Sequence, residues 1–376
     1  MFLTKIIDNN TKEDLQLSKQ VVLYGAGNFA KECLVALKRC GYEIIFIIDQ
    51  NKYKDNLVID NIHVISIDDK RVTDDIKNNS TCILSIFNAY VDLSEIEENI
   101  RSFGFSDIVN PLQFIDMFHK SMGDHFWLTS TKKLSKHKDK LFSAYEKLED
   151  EHSKKLFQNI VEYRFSRDLS IVQKPQNFKT QYIPDDIVIK YPPLNFIDCG
   201  AYDGDTIMHL INNNIELNSF VAFEPDTDNI AKLSKNLKST NAISGFIYPC
   251  GVYGTSKQLR FSSGQGSASH IDDSGDVVIQ VVSMDEVLLD YEANFIKMDI
   301  EGAEIDALLG AEELIRKNKP ILAISAYHKF DDLWTITDLI SSWNLGYKFY
   351  LRLYEYNGFG LVYYAYQDKH LIKRGN

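Results

Sequence analysis

The segment Phe196-Ile-Asp-Cys-Gly-Ala-Tyr-Asp-Gly-Asp205 decides the fold of the second half of the chain. An apolar strand ends on Asp198 and leads directly into a turn that contains Gly200 and Gly204. Glycine has no Cβ, so the backbone of such a turn can approach a nucleoside closely. The next predicted strand ends on Glu224, and a carboxylate one strand over can accept hydrogen bonds from both ribose hydroxyls. The pairing therefore predicts a nucleoside-binding α/β domain.

A second acidic segment, Phe295-Ile-Lys-Met-Asp-Ile-Glu-Gly-Ala-Glu-Ile-Asp306, is built in the same way. Its strand delivers Asp299 at the carboxyl end, where ligands bind in open α/β sheets. Lys297 lies on the same face of the strand because side chains alternate with period two. Glu301 and Glu304 begin the following helix. The crowding of a lysine and several carboxylates predicts a site role for Asp299. For the other three residues a structural role is an equal alternative.

The N-terminal half carries a different glycine turn, Gly25-x-Gly27-x-x-Ala30, which follows the apolar strand 20–24. Asp49 ends the next predicted strand, near the spacing of about 20 residues in the dinucleotide-binding fingerprint. The alternative is a tight strand-to-helix turn, with Asp49 capping a loop. No catalytic partner for a dehydrogenase is recognisable in the residues that follow. Gly25, Gly27 and Asp49 are therefore nucleotide-binding candidates with an open structural alternative.

The order of the predicted elements divides the chain into three parts and gives an α/β fold class. Alternating strands and helices over residues 1–111 predict a small, doubly wound Rossmann-like domain. Residues 112–181 have helical spacing and predict a helical connector. Residues 182–376 alternate again, with strands expected at 195–198, 220–224, 242–249, 277–282, 295–299 and 321–326. Asn357-Gly358 between two apolar runs predicts a closing β-hairpin, which makes this sheet mixed, unlike the all-parallel dinucleotide fold.

Charge and cysteine usage argue against several classes of protein. The formal net charge of -12 at pH 7 argues against a nucleic-acid partner, which normally requires a basic face. The five cysteines are scattered without CxxC spacing, so neither a disulfide framework nor a zinc site is expected. Residues 1–20 lack the apolar core of a signal peptide, and no stretch has the length of a membrane span. A cytoplasmic location is therefore expected.

The densest basic run covers residues 131–140. A solvated helix face is the simpler interpretation of this run. Contact with an anionic glycan or with a membrane surface is the alternative.

Three segments, taken together and in this order, resemble a known family. They are Phe196-Ile-Asp-Cys-Gly-Ala-Tyr-Asp-Gly-Asp-Thr206, Ala222-Phe-Glu-Pro225 and Lys297-Met-Asp-Ile-Glu-Gly-Ala-Glu304. Over residues 182–366 the chain resembles the FkbM-type methyltransferases, in a bacterial subgroup with an added N-terminal Rossmann-like domain. The resemblance implies a class I fold and an S-adenosylmethionine (SAM)-dependent O-methyltransferase. It also implies a sugar hydroxyl as acceptor, in a surface glycan such as O-antigen or capsule, or in a nucleotide-sugar precursor.

The resemblance also implies roles for individual residues. The cofactor would contact the turn and the acid of the next strand, that is Asp198, Gly200, Ala201, Tyr202, Glu224 and Pro225. Asp285 and the loop with Ser267 and Ser269 would lie near the adenine or the substrate. The base would be Asp299 or His328, with Lys297 beside them. Many family members carry a glutamate shortly before the histidine, where this chain has Ser325-Ala-Tyr-His328, so the choice of base stays open.

A divalent cation is an alternative role for Asp299. A Mg²⁺ ion at this carboxylate could bind a sugar diol, because hard oxygen ligands suit this cation. Glu301 and Glu304 are candidates to contact the cation or the substrate. The sequence does not fix a second and a third ligand.

Two other functions compete with methyl transfer. One is a nicotinamide-dependent sugar-modifying enzyme that uses the turn at Gly25 and Gly27. The other is a non-catalytic, cofactor-binding scaffold in glycan assembly. In each case the expected partner is a small molecule or a glycan, and a homo-oligomer is compatible with the sequence.

Overall fold

The structure is a computed structural model and describes residues 6, 15–51, 54, 57–171, 174–238, 244–262, 270–271, 275 and 277–371. The chain forms two compact units. The first comprises Met1–Phe142, Lys155–Pro175 and Glu355–Phe359, and the second comprises Ser143–Lys154, Gln176–Tyr354 and Gly360–Asn376. The predicted domain boundaries after residues 111 and 181 stay predictions. None of the described helices is long and apolar enough to cross a membrane.

A six-stranded sheet forms the centre of the first unit. Its strands are β1 Gln20–Tyr24, β2 Glu43–Ile48, β3 Val58–Ile59, β4 Ile62–Ile65, β5 Thr81–Leu84 and β6 Ile108–Val109. They lie in the order β3-β4-β2-β1-β5-β6, and only the pair β3 and β4 is antiparallel. The central strand β1 is buried from Val21 to Tyr24, as its continuous apolar sequence predicts. The doubly wound arrangement expected for this half is confirmed.

Helices alternate with the strands of this sheet along the chain and continue through the stretch predicted to be helical. They are α1 Asn28–Arg39, α2 Asp74–Asn79, α3 Leu93–Ser102, α4 Pro111–Met122, α5 Thr131–Leu134, α6 Lys138–Glu146 and α7 Glu151–Ser166. Helix α4 begins where the sequence demands it, because Asn110 and Gln113 form a capping box and Pro111 occupies the first turn. In the basic run, Lys132, Lys136 and Lys140 are exposed, as expected of a solvated face.

A seven-stranded mixed sheet forms the core of the second unit. Its strands are β7 Leu194–Cys199, β8 Leu217–Phe223, β9 Ser244–Tyr248, β14 Phe295–Met298, β15 Ile321–Ser325, β16 Lys348–Leu353 and β17 Leu361–Tyr366. The order is β16-β17-β15-β14-β7-β8-β9, and β17 runs antiparallel to both β15 and β16. The accompanying helices are α8 Asp205–Asn212, α9 Thr227–Leu237, α10 Met284–Val287, α11 Glu304–Leu309, α12 Glu312–Asn318 and α13 Asp332–Ser342. The predicted mixed sheet with a closing hairpin is confirmed.

A second, four-stranded sheet in this unit differs from the prediction. It consists of β10 Gly251–Val252, β11 Lys257–Ser262, β12 His270–Ile271 and β13 Val277–Val282, in the order β10-β13-β11-β12. The predicted strand at 277–282 is confirmed as β13, but it pairs antiparallel with β11 and belongs to this sheet and not to the seven-stranded one. Strand β11 has the sequence Lys-Gln-Leu-Arg-Phe-Ser. It is too polar to be predicted as a strand from apolar runs.

A buried arginine joins Asp150, Ser153 and Asp186 to the hairpin strand β16 within the second unit. The Arg352 side chain is 1% exposed, and its guanidinium donates to Asp150 at 2.7 Å and to Asp186 at 2.8 Å. It also donates to the hydroxyl of Ser153 at 2.9 Å. Hydrogen bonds to charged groups each contribute about 1.5–3 kcal/mol. The network therefore stabilises this unit.

We expect Arg352→Leu to lower the free energy of unfolding of the second unit by about 2–3 kcal/mol. The loss leaves two partly exposed carboxylates without their shared partner, and solvent offsets part of the cost. Urea denaturation measures the change. Lys317→Leu is the control, because its contact with Asp290 at 3.7 Å is exposed, and solvent-exposed ion pairs contribute little to stability. Equal losses in the two variants would contradict the stabilising role of Arg352.

Candidate functional site

Strands β7, β14 and β15 end side by side at the carboxyl edge of the main sheet. Cys199 pairs with Met298, and Met298 pairs with Ile324, so the residues after each strand meet at this edge. A Cβ on Gly200 would lie 2.0 Å from the carbonyl oxygen of Asp299, and φ of Gly200 is +78°. Only glycine fits both conditions. The sheet therefore places the first predicted turn directly against the second acidic segment.

Lys297 holds this turn from inside the sheet. Its Nζ donates to the carbonyl oxygen of Gly200 at 2.6 Å and lies 2.9 Å from Oδ1 of Asp198. Burial raises the pKa of Asp198 to about 6, although the Lys297 ammonium opposes this shift. Burial alone would lower the pKa of Lys297, but the neighbouring carboxylates, first Asp198 and then Asp299, raise it. The Lys297 side chain is only 4% exposed, which fits a positioning role better than the predicted catalytic one.

Glu224 ties the same turn to the neighbouring strand β8. Its Oε2 accepts a hydrogen bond from the backbone N–H of Tyr202 at 2.9 Å, and its Oε1 accepts one from the N–H of Asp226 at 2.9 Å. A carboxylate offers about four acceptor directions, so Glu224 can hold the turn and also accept a ribose hydroxyl. Ala201 and Pro225, two further predicted cofactor residues, lie in the turns that follow β7 and β8.

Asp299 follows β14 and has a side chain that is 24% exposed. The hydroxyl of Tyr182 donates to its Oδ2 at 3.1 Å, and the hydroxyl of Tyr327 donates to its Oδ1 at 3.2 Å. Burial would raise the pKa of Asp299, but the positive charges of His328 and Lys297 hold it below its usual range. Asp299 is therefore an ionised carboxylate, fixed by two tyrosines and still accessible to a substrate.

His328 lies among three carboxylates and has a side chain that is 1% exposed. Its Nδ1 is 2.8 Å from Oε1 of Glu304, and its Nε2 is 3.4 Å from Oδ1 of Asp299 and 3.7 Å from Oε2 of Glu301. Burial would lower the pKa of His328, but the three carboxylates raise it to about 10. Asp299, Glu304 and His328 each offer a potential metal-ligand atom, all within 4.8 Å of one another.

Three non-glycine residues at this edge have a left-handed backbone. The φ angle is 68° at Tyr182, 49° at Tyr202 and 53° at Glu301. Such conformations cost about 1–3 kcal/mol each and cluster at functional sites. Their position beside Asp198 and Asp299 supports this edge as the functional site of the second unit.

Two groups of predicted site residues are not brought to this edge by the described contacts. The carboxylate of Asp285 accepts hydrogen bonds from the N–H groups of Glu313 at 3.0 Å and Leu314 at 2.8 Å. It therefore caps the first turn of α12, and its contact with adenine or substrate stays a prediction. Ser267 and Ser269 lie outside the described residues.

In the first unit, Asp49 contacts the backbone of the N-terminal glycine turn. Oδ2 of Asp49 accepts a hydrogen bond from the N–H of Ala26 at 2.8 Å and lies 3.0 Å from Nζ of Lys54. The φ angle of Gly25 is +112°, and a Cβ there would lie 2.4 Å from a side-chain carbon, whereas a Cβ on Gly27 would meet nothing within 4 Å. Asp49 thus stabilises the turn itself, as the structural alternative expects. Nucleotide binding by Gly25, Gly27 and Asp49 stays a prediction.

Sequence reasoning missed Tyr182 as a residue of this edge. It is 117 positions from Asp299 and precedes β7 in a segment without a motif. Its backbone N–H donates to the hydroxyl of Tyr364 at 2.9 Å, which lies 182 positions away on β17. No local spacing encodes such a contact. Tyr327 lies next to His328 in the sequence, and that adjacency was the available signal for it.

Two family models match the chain. Residues 198–349 match the model described as the methyltransferase FkbM domain. Residues 20–91 match the model described as the PglD N-terminal domain. The first match contains the whole edge described above except Tyr182, and the second contains the N-terminal glycine turn and Asp49. No curated protein matches the sequence significantly.

Among solved structures, the methyltransferase FkbM from Methylobacillus flagellatus KT is similar over nearly the whole chain. The TM-score is 0.78 at 20% sequence identity, with 97% of this chain and 93% of that chain covered. At this identity the likeness shows the fold, which includes both units. The SAH-bound methyltransferase PaMTH1 of Podospora anserina covers 75% of this chain and 100% of that chain at 10% identity. The TM-score of this match is only 0.30, so the two structures are not similar as a whole.

Proposed function

From the match of residues 198–349 to the methyltransferase FkbM domain, we propose that the chain is a SAM-dependent O-methyltransferase. Residues 20–91, which match the PglD N-terminal domain, precede it in the same chain. The acceptor we propose is a sugar hydroxyl of a bacterial surface glycan or of its nucleotide-sugar precursor. One observation carries the proposal. The turn at Gly200 packs against the backbone of Asp299, so a cofactor at the turn lies beside an accessible carboxylate.

The cofactor half of the site rests on the first turn. Gly200 lets the turn pack closely against Asp299, and Lys297 and Glu224 hold the turn from two sides. In this proposal the turn at Asp198 and Gly200 would hold the methionine part of SAM, and Glu224 would accept the ribose hydroxyls. The sulfonium of SAM is positive, and Asp198, Glu224 and Asp299 give this edge the negative field that favours it.

Methyl transfer needs an in-line arrangement and a place for one proton. The acceptor oxygen attacks the methyl carbon, the carbon–sulfur bond breaks with its electron pair going to sulfur, and the hydroxyl proton goes to a base. Two groups were candidates for that base. The Asp299 side chain is 24% exposed whereas that of His328 is 1% exposed, so an acceptor hydroxyl can reach Asp299 and not the imidazole. We therefore assign proton acceptance to Asp299.

The choice of a sugar rests on the family resemblance and on the chemistry of the edge. The carboxylate of Asp299 and the hydroxyls of Tyr182 and Tyr327 form a polar group that can exchange hydrogen bonds with several hydroxyls at once. A nicotinamide enzyme is the weaker alternative, because no catalytic partner for a dehydrogenase is recognisable in the residues that follow the turn at Gly25 and Gly27. A non-catalytic scaffold would bind SAM and transfer no methyl group, which distinguishes it from the enzyme.

The experiment that tests the function uses the full chain and SAM with a labelled methyl group. Candidate nucleotide-sugars, glycolipids and polysaccharides are offered in turn, and mass spectrometry detects an increase of one methyl per acceptor. Mild base separates the linkages, because methyl esters are cleaved and methyl ethers persist. A base-stable methyl on a sugar is expected. Transfer to nitrogen or carbon, or no transfer with SAM bound, would refute the proposed O-methylation of sugars.

We expect Tyr182→Phe to lower kcat about 10-fold. The variant loses one charge-assisted hydrogen bond to Oδ2 of Asp299, and the carboxylate is then less well fixed for the proton transfer. Single-turnover kinetics measures the effect, with SAM affinity as the second readout. Tyr347→Phe is the matched control, since its hydroxyl donates to the carbonyl oxygen of Pro320 at 2.7 Å and makes no contact with Asp299. A kcat that is unchanged in both variants would remove Tyr182 from the site.

A further inference from the structure

The charges around His328 do not balance. Three carboxylates, from Asp299, Glu301 and Glu304, lie within 3.7 Å of one imidazole ring. The ring and Glu304 are both 1% exposed, and the other two side chains are 24% and 20% exposed. Even with a protonated ring, the group carries excess negative charge in a poorly solvated place. Buried carboxylates in such a group are normally paired or coordinate a metal.

The two nitrogens of the ring have different surroundings. Nδ1 lies 2.8 Å from Oε1 of Glu304, and that oxygen also accepts the backbone N–H of Ile300 at 3.0 Å. The Nδ1–H therefore donates to a carboxylate that the backbone already fixes. This arrangement orients the ring and leaves the lone pair on Nε2 in the neutral tautomer, as the carboxylate partner of a metal-binding histidine does.

Nε2 is buried and has no hydrogen-bond partner among the described residues. It points at Oδ1 of Asp299, 3.4 Å away, and at Oε2 of Glu301, 3.7 Å away. Both distances exceed the usual hydrogen-bond range of about 2.7–3.2 Å. They match a different geometry, because ligand atoms with metal bonds of about 2.0–2.2 Å lie about 3.4 Å apart around a tetrahedral ion. Each of the two carboxylate oxygens therefore lies at a distance from Nε2 that suits two ligands of one cation.

We propose that His328 Nε2, Asp299 Oδ1 and Glu301 Oε2 bind one divalent cation, and that Glu304 orients the histidine from the other side of the ring. One imidazole nitrogen with two carboxylate oxygens suits Mn²⁺ or Zn²⁺ better than Ca²⁺, which takes more ligands and only oxygen. This set of ligands differs from the all-oxygen Mg²⁺ site that is the sequence-based alternative for Asp299.

The open side of the cation determines what else it binds. Asp299 and Glu301 are the two partly exposed ligands, so the remaining coordination positions face the accessible side of the edge. On the proposed function, an acceptor hydroxyl would take one of these positions. A bound cation lowers the pKa of a coordinated hydroxyl, and a vicinal diol would fill two positions. We therefore expect sugars with adjacent free hydroxyls to be the preferred acceptors.

The test measures Mn²⁺ binding to the full chain after removal of metals with a chelator. The electron paramagnetic resonance signal of free Mn²⁺ disappears on binding, so titration gives stoichiometry and affinity without any methyl transfer. We expect one Mn²⁺ per chain. Glu301→Gln is expected to weaken binding at least ~10-fold, and Glu304→Gln by about 10–100-fold, as loss of an orienting partner does. Glu313→Gln, an exposed change of the same charge, is expected to leave binding unchanged.

Either of two results would overturn the inference. One is the absence of stoichiometric Mn²⁺ binding, and the other is equal affinity in Glu301→Gln and Glu313→Gln. Glu301 is partly exposed, so its variant is expected to fold even where the buried Glu304→Gln does not, and circular dichroism checks both. SAM binding is measured in parallel. SAM bound without Mn²⁺ refutes only the cation site, whereas Mn²⁺ bound without SAM refutes the proposed function and leaves the cation site standing.

Discussion

Asp299→Asn is expected to lower kcat by ~10²–10⁴-fold, the usual contribution of a positioned acid or base. Asparagine keeps the shape of the side chain, so its oxygen can still accept from one of the hydroxyls of Tyr182 and Tyr327 while its NH2 group donates to the other, but it cannot take the proton of the acceptor hydroxyl. SAM affinity should fall much less than kcat, because Lys297 and Glu224 hold the turn and the loss of the Asp299 charge only weakens the negative field at this edge. Single-turnover transfer measures the first quantity and calorimetry the second.

The control for this variant is Asp290→Asn, whose side chain is fully exposed and 3.7 Å from Lys317. It removes the same charge from the same unit and should leave kcat unchanged. Glu301→Gln serves as a second comparison, since it weakens the proposed cation site and keeps the Asp299 carboxylate. A kcat for Asp299→Asn that stays within a few-fold of the wild type would show that Asp299 is not the base.

Gly200→Ala is expected to abolish SAM binding and to destabilise the second unit. Its φ of +78° costs an alanine about 1–2 kcal/mol. In addition, the new Cβ would lie 2.0 Å from the carbonyl oxygen of Asp299, so the turn and the end of β14 must move apart. That movement disturbs the contact on which the proposed site rests. Calorimetry with SAM and urea denaturation measure the two effects.

Gly346→Ala separates backbone strain from the clash. Gly346 lies in the same unit with φ of +76°, and a Cβ there would meet nothing within 4 Å. This variant should lose about 1–2 kcal/mol of stability and keep full SAM affinity. If Gly200→Ala behaved in the same way as Gly346→Ala, the close approach of the turn to Asp299 would have no functional meaning.

The sequence was most informative where strands deliver polar groups to a sheet edge. Asp198, Glu224 and Asp299 each end a strand or follow one, and parallel strands bring such ends together, so their convergence could be predicted. The closing hairpin was equally clear, because Asn357-Gly358 separates two apolar runs. Both features depend on short-range patterns, which are visible in a single amino-acid sequence.

The contacts that depend on distant residues could not be predicted. Tyr182 reaches Asp299 across 117 positions, and its left-handed backbone is held by Tyr364. Strand β11 was hidden because its charged residues resemble a loop. Asp285 has the same chemistry as the site acids, and only the position of α12 shows that it caps a helix. In each case the missing information was which residues, distant in the sequence, contact each other in the folded protein.

Titration of the full chain with SAM in a calorimeter shows whether the second unit binds the methyl donor at the turn of Gly200. We expect one SAM bound per chain, with SAH competing and with binding lost in Gly200→Ala and retained in Gly346→Ala. NADH should produce no binding heat at the same concentrations. A chain that binds NADH and not SAM would refute the proposed cofactor, and SAM binding that survives Gly200→Ala unchanged would refute the proposed binding site.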